Sequence, residues 1–414
     1  MPDYTRIPFH MPGHKRNLEL LGGDLPYAID ITEIDGADNL HDMSGRLAEL
    51  SALAARLYGA DAAFPMVNGS TGGILAAVRA AVNGKSGGTI ALTREAHKSV
   101  YNAVELCDLM PVYLENAEIA DIPDLRCVLI TSPTYLGRVA DVAATAEAAH
   151  KRGVPLIVDA AHGAHFGFSD GFPRNASRIG ADVEIVSLHK TLPALTQSSL
   201  ALVSGGLIPA KELEIQLRVF ETSSPSYVLL ESVARCLRLL ESRGAELFAA
   251  YERRLRRFYA RTGLSTADDI GKIVIPAANG RALMKIFREQ YNIELEMCGP
   301  DYALAMTSIA DTDANFDALA AAVLNERVVG TPPAETRYHI PRRACSPKEA
   351  RQQRGEFTHY RAAAGKISRE YVWAYPPGVP LLVPGEIIDA AVIAELNATE
   401  PKSDYGKMPK ISVY

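Results

Sequence analysis

Between residues 60 and 205 short apolar runs alternate with helical patterns, and each run leads into a small or polar loop. This is the feature that most limits how the chain folds. The runs are 88–92 (GTIAL), 110–114 (MPVYL), 126–130 (RCVLI), 154–159 (VPLIVD), 183–187 (VEIVS) and 200–204 (LALVS). They are rich in Val, Ile and Leu along their whole length, as strands covered on both faces must be. Helical spacing over 71–82, 97–107 and 140–151 separates them. Strands alternating with helices predict a doubly wound α/β unit around a mostly parallel sheet.

Upstream, Leu47, Leu50, Ala54 and Leu57 share one helical face that closes at Gly59. Downstream, 228–262 reads as a long helix broken near Gly244. The stretches 271–275, 293–297 and 302–308 read as strands of a smaller α+β part, with a helix at 313–325. Ser346-Pro347-Lys348-Glu349 is a capping box with proline at the first helical position. The proline-rich 375–386, YPPGVPLLVPGE, is expected to be irregular. The expected organisation is an N-terminal arm over 1–45, a large α/β domain over 46–262 and C-terminal α+β structure over 263–414.

At 414 residues, 48% hydrophobic and 22% charged, the chain has ample material for large cores. Its 43 basic and 49 acidic residues are interleaved and give a net charge of −6, so no basic face for nucleic acid is expected. Five scattered cysteines without a CxxC pair suggest neither a disulfide framework nor zinc, and a reducing cytoplasm fits. No signal-peptide core or unbroken apolar run of membrane-spanning length is present, so neither export nor membrane insertion is expected. The pairs His162/His165 and His10/His14 have the spacing of metal ligands but lack an HExxH motif or a third ligand, and no metal is expected.

In an open α/β sheet, ligands bind beyond the carboxyl ends of the strands. Here those ends read Thr93-Arg94-Glu95-Ala96-His97, Thr131-Ser132-Pro133-Thr134-Tyr135, Asp159-Ala160-Ala161-His162 and Ser187-Leu188-His189-Lys190. Together they describe a polar cleft containing a lysine, a residue type seldom buried. Asn68-Gly69-Ser70-Thr71-Gly72-Gly73 precedes a helix and offers hydroxyls and backbone N–H groups to an anion; a plain turn and cap would use the same residues. A P-loop at Gly84-Lys85-Ser86 fails because position 79 is Arg79.

Pyridoxal phosphate needs an amine for an imine link, anchors for its phosphate and an anion facing its pyridine nitrogen. Lys190 and Asp159, at the ends of successive strands, meet the first and last needs. Ser70, Thr71, Ser187 and His189 can hold the phosphate. His97 offers an aromatic plane to stack on the ring.

Those residues lie within longer motifs: FHMPGHK (9–15), DITEIDGADNLHDMSG (30–45), NGSTGG (68–73), REAHKSVYNAVEL (94–106), SPTYLG (132–137), VDAAHGAHFGF (158–168), SLHKTLPALTQSS (187–199), TSSPSY (222–227) and YPPGVPLLVPGE (375–386). Through them the chain resembles, nearly end to end, the Orn/Lys/Arg decarboxylases. These are fold-type I pyridoxal-phosphate enzymes with the aspartate aminotransferase fold. The resemblance implies that Lys190 carries the cofactor, Asp159 pairs with its ring nitrogen and His97 stacks on the ring. It places His162 beside the ring, in a position some relatives fill with tryptophan. It puts Ser70, Thr71, Ser187 and His189 on the phosphate, has Thr222 reach the cofactor of a neighbouring subunit, and makes Glu386 the partner of a basic substrate's distal cation. It implies a homodimer or an assembly of dimers. The N-terminal wing domain of the large inducible members has no counterpart in this sequence, and Ala160 stands where relatives often carry a bulkier or acidic residue.

The expected activity is decarboxylation of arginine, lysine or ornithine, with Lys190 or His97 returning a proton to Cα. An aminotransferase or side-chain lyase would use the same Lys190 and Asp159. The aminotransferase would add an arginine for the α-carboxylate, for which Arg337, Arg342 and Arg343 are available. A non-catalytic cofactor-binding scaffold would have no need of Lys190 and Glu386.

Overall fold

All six apolar runs form strands of one sheet, joined by a seventh strand that periodicity did not reveal. The computed structural model describes residues 6–328, 339–374, 379–399 and 401–414. The strands are β1 (Ala62–Met66), β2 (Thr89–Leu92), β3 (Met110–Tyr113), β4 (Leu125–Thr131), β5 (Leu156–Asp159), β6 (Val183–Ser187) and β7 (Ser199–Val203), in the order β1-β7-β6-β5-β4-β2-β3. Strands β2 to β6 pair in parallel. β7 runs antiparallel to both β6 and β1, because the connection over 188–198 is too short for a parallel crossover. β1 escaped notice because its Ala-Ala-Phe-Pro-Met has weak strand character; Pro65 is tolerated at this outer strand.

Successive residues of β4 point to opposite layers. Val128 and Ile130 pack in one apolar cluster with Leu156, Val158 and Val186, whereas Cys127 and Leu129 join Ile157, Val183 and Ile185 in the other. This period of two explains why the strands read as continuous apolar runs. Helices Gly69–Ala81 and Lys98–Leu106 cover the second face, and Arg46–Tyr58 packs on the first.

The helix Tyr227–Thr262 runs unbroken for 36 residues, contrary to the expected interruption at Gly244. A glycine inside a helix costs about 1 kcal/mol, and burial of Leu237, Leu240, Phe248, Tyr251, Leu255 and Phe258 outweighs it. Phe248 stacks with Phe168 of the large unit, while Tyr251 and Phe258 meet Phe316 of the following unit.

That unit holds an antiparallel sheet of β8 (Lys272–Pro276), β9 (Met297–Cys298) and β10 (Tyr302–Met306), in the order β8-β10-β9, with helices Gly280–Tyr291 and Asp313–Asn325. Only the end of the expected strand 293–297 pairs; Glu294 instead meets Arg288. The last part of the chain pairs β11 (Glu356–His359) with β15 (Lys410–Val413), and β12 (Val372–Ala374) lies between β13 (Val379–Leu382) and β14 (Lys402–Ser403). β13 corrects the expectation of irregular structure over 375–386: it is an outer strand, where Pro380 is tolerated opposite Trp373 beside a register shift. Residues 375–378 lie outside the described residues. The capping box at Ser346 and Glu349 forms as expected. Among the described residues, no helix is long and apolar enough to cross a membrane.

Candidate active site

The carboxyl ends of β4, β5 and β6 open into a cleft of about 270 Å³. Asn68, Ser70, Thr71, His97, Tyr135, Asp159, His162, Ser187, His189 and Lys190 contribute to its wall. The parallel register explains the convergence: β5 and β6 end side by side on Asp159 and Ser187, and Leu188–Thr191 turns once to present Lys190. Each predicted cofactor residue except Thr222 lines this one cavity.

Lys190 Nζ stands 3.1 Å from His162 Nε2 and 5.7 Å from the centre of the Tyr135 ring. Burial lowers the pKa of Lys190, and the nearby Asp159 and Glu296 carboxylates oppose the shift only in part. Asp159 is 4% exposed and accepts a hydrogen bond from the Ala161 amide at 3.2 Å. His97 caps helix Lys98–Leu106: its Nδ1 accepts from the Ser99 amide at 3.2 Å, which leaves the proton on Nε2 in the neutral ring.

The residues present fit a phosphorylated cofactor. Gly69 has φ +68°, a left-handed turn that suits glycine and delivers Ser70 and Thr71 at the start of helix Gly69–Ala81. The first amides of a helix lack partners within it. Ser187 Oγ and Thr131 Oγ1 are buried at the cleft and have no hydrogen-bond partner among the described residues. Orphaned hydroxyls of this kind call for an acceptor or donor that the protein does not supply. His189 Nδ1 lies 3.1 Å from the Ser198 carbonyl, which fixes a proton there and directs Nε2 elsewhere. An anion beside the ring would favour a second proton, on Nε2.

Two predicted residues are not in the cleft. Thr222 is exposed, with its carbonyl accepting from His41 Nε2 at 2.8 Å. The structure also removes Glu386 from the expected substrate-binding role. It is fully buried, its oxygens lie 2.5 and 3.1 Å from the Arg94 guanidinium and 3.0 Å from Arg343, and it accepts from the Val383 amide at 2.8 Å. A carboxylate enclosed by two arginines has no face left for a ligand.

The same network places Arg343 away from an aminotransferase's carboxylate clamp; Arg337 lies outside the described residues. The histidine pairs are also explained without metal: His14 meets Asp30 at 3.0 Å, His165 meets Asp269 at 3.1 Å, and His162 faces lysines.

Sequence reasoning missed Lys272. It is 2% exposed at the start of β8, and its Nζ lies 2.8 Å from His162 Nδ1. Burial pushes its pKa down to about 8 against the pull of Asp269. Glu95 and Tyr135 also line the cleft. A lysine opening an apolar strand was the available signal, but nothing local ties it to a histidine 110 positions away.

This fold and cleft define a fold-type I pyridoxal-phosphate enzyme. The family model described as "Orn/Lys/Arg decarboxylase, major domain" matches residues 4–120 and 115–250, and that of the "Orn/Lys/Arg decarboxylase, C-terminal domain" matches 334–404. The chain is 30% identical to an arginine decarboxylase of Halalkalibacterium halodurans, over 95% of this chain and 90% of that protein. It is also 30% identical to an arginine decarboxylase of Bacillus subtilis, over 92% and 88% of the two. Lysine decarboxylase structures from Francisella novicida (TM-score 0.82, 17% identity, 99% of this chain and 78% of that one) and the constitutive enzyme of E. coli (0.78, 18%, 98% and 79%) share the fold. The chain belongs to the Orn/Lys/Arg decarboxylase family, pyridoxal-phosphate-dependent enzymes that decarboxylate basic amino acids.

Proposed function

We propose that this chain decarboxylates arginine, using pyridoxal phosphate held at Lys190, and that it works as a homodimer in the cytoplasm, forming a polyamine precursor. The observation that carries the site assignment is the convergence of Lys190, Asp159 and the orphaned Ser187 hydroxyl in one cleft. Arginine is favoured over lysine and ornithine by the two curated arginine decarboxylases matched along nearly their whole length.

When bound, pyridoxal phosphate supplies an electron sink for the breaking bond between Cα and the carboxylate. The chain's own residues hold and orient. Lys190 offers an amine whose proton is loosened by burial. Asp159 offers the anion for the ring nitrogen. His97 and His162, which line the same cleft, would hold the ring from its face and its side. Ser70, Thr71, Ser187 and His189 gather at the phosphate end, where hydroxyls and the helix start favour an anion. Lys190 or His97 returns the proton to Cα after carbon dioxide leaves. With Glu386 engaged elsewhere, we assign the substrate's guanidinium to Glu95, which lines the cleft together with Asp159.

The dimer is supported by an apolar N-terminal arm: Ile7, Phe9, Met11 and Leu20 are 81, 94, 66 and 77% exposed. Such patches mark surfaces that another chain covers. In that assembly Thr222, exposed in one protomer, serves its neighbour's cofactor.

Purified protein supplied with pyridoxal phosphate is expected to release carbon dioxide and the corresponding amine from arginine faster than from lysine or ornithine. Borohydride should fix the cofactor on Lys190, and Lys190→Ala should lose both the adduct and turnover. A keto acid product would refute the decarboxylase reading, and an active monomer in light scattering would refute the dimer.

A further inference from the structure

One side chain of the cleft wall comes from the last part of the chain. Val379, the first residue of β13, lines the cavity together with Glu95, Ala96 and His97. It is 4% exposed, yet among the described residues it belongs to none of the apolar clusters, whereas Leu381 and Leu382 of the same strand pack in the C-terminal one. Its burial is that of a wall residue rather than of a core residue. An apolar side chain bordering a space that Lys190, Asp159, His162 and Glu95 also line is in place when that space takes in apolar surface.

Buried contacts fix where that wall stands. Arg94 Nη2 donates to the Leu381 carbonyl at 3.2 Å, and its guanidinium pairs with Glu386, which also accepts from the Val383 amide at 2.8 Å. Arg94 immediately precedes Glu95, so the strand that carries Val379 is tied to the loop that carries Glu95. The sheet order shows which part of a ligand meets them. Ser187 and His189 follow β6, Glu95 follows β2, and β5 and β4 lie between. At about 4.8 Å per strand the two exits stand about 14 Å apart. The phosphate residues at the β6 exit therefore stand across the sheet from Glu95 and Val379. A basic amino acid carries its cation on an apolar stem of methylenes. Glu95 suits the cation, and Val379 offers the stem a surface that has no hydrogen bond to give, so it acts through contact and reach.

We infer that Val379 is a specificity residue contributed by the C-terminal unit: it packs on the methylene stem of the substrate and sets the room left beside Glu95, and so selects among basic amino acids by the length and breadth of their side chains. This deepens the reading of the chain as an arginine decarboxylase and rests on it.

The test uses the full chain loaded with pyridoxal phosphate. Calorimetric titration with agmatine, cadaverine and putrescine, the amines left by arginine, lysine and ornithine, reads binding without turnover. Val379→Ile adds one methylene to the wall and is expected to weaken agmatine about tenfold relative to putrescine, the scale of a methylene in an apolar pocket. Val379→Leu should move the ratio in the same direction. Val379→Thr keeps the shape but sets a hydroxyl against the stem, and should weaken all three amines alike, by about threefold. The ratio of kcat/KM for arginine over ornithine should follow the binding ratio in each variant. An agmatine-to-putrescine ratio unchanged in either folded variant with the larger side chain, or a loss there shared equally by the three amines, overturns the inference. If the unaltered protein forms no amine from arginine, lysine or ornithine, the decarboxylase reading falls instead, whereas amine formation with an insensitive ratio sinks only the role of Val379.

Discussion

Replacing Glu386 with glutamine separates two readings of a buried carboxylate. In the structure Glu386 is the anion between Arg94, 1% exposed, and Arg343, with the Tyr113 hydroxyl 3.4 Å away. Glu386→Gln keeps the shape but strands two guanidinium groups, one with no route to water. Breaking a buried pair in this way costs about 3–5 kcal/mol. With about 2.1 cal/mol/K of unfolding entropy per residue, a chain of 414 residues loses about 3–6 °C in melting temperature. Arg94 also anchors the loop that ends in His97, through its carbonyl bonded to Tyr101 and its amide bonded to Glu115. The variant should therefore lose kcat while KM for arginine changes little. Calorimetry and steady-state assays of the loaded enzyme read both quantities. Glu386→Leu combined with Arg94→Leu removes the fully buried pair but leaves Arg343, 13% exposed, without its carboxylate, and should recover part of the melting temperature. A Glu386→Gln protein with an unchanged melting temperature and a KM raised for basic substrates alone would refute the structural role and restore Glu386 as a substrate ligand.

Glu95→Gln should raise KM for arginine about tenfold with a smaller effect on kcat, the scale of one charge-assisted contact; equal loss for an uncharged analogue of arginine would refute the assignment of Glu95. Gly280→Ala should destabilise the chain by about 2 kcal/mol or more in urea unfolding, because its Cβ would meet the Tyr302 and Gly299 carbonyl oxygens at 2.0 and 2.3 Å. Burial pushes the pKa of Glu221 up to about 7 despite bonds from the Val67 and Asn68 amides. The folded state then binds more protons than the unfolded state between about pH 4.5 and 7, so this group's contribution to stability falls as pH rises through that window. Glu221→Gln should remove this slope and be the more stable form at about pH 8 by about 2–3 kcal/mol, as measured by paired denaturation curves.

The site was legible where chemistry sits at strand exits. Asp159, Ser187, His189 and Lys190 follow apolar runs of the length parallel strands have, and adjacent exits necessarily meet. The fold was legible for the same reason as far as six strands of one mostly parallel sheet; the order of the strands and the antiparallel β7 were not. What stayed hidden depends on contacts with no local trace. β1 and β13 contain prolines that only an outer position accommodates. Glu386 lies in a motif that reads as functional, yet its partner Arg94 stands 292 positions earlier. Gly244 looks like a break, and only the packing of the surrounding helix shows why it is not one. Lys272 shows only as a lysine opening an apolar strand; its meaning comes from the ring it reaches.

The helix Tyr227–Thr262 bears against the large unit and against helix Asp313–Asn325 of the smaller one as one rod, about 54 Å long at 1.5 Å per residue. Sliding the β8–β10 layer over the large one would require bending that rod or tearing Phe316 from its aromatic neighbours. Substrate gating is thus left to the loops at the mouth, and a hinge between the two layers is the wrong place to engineer faster product release.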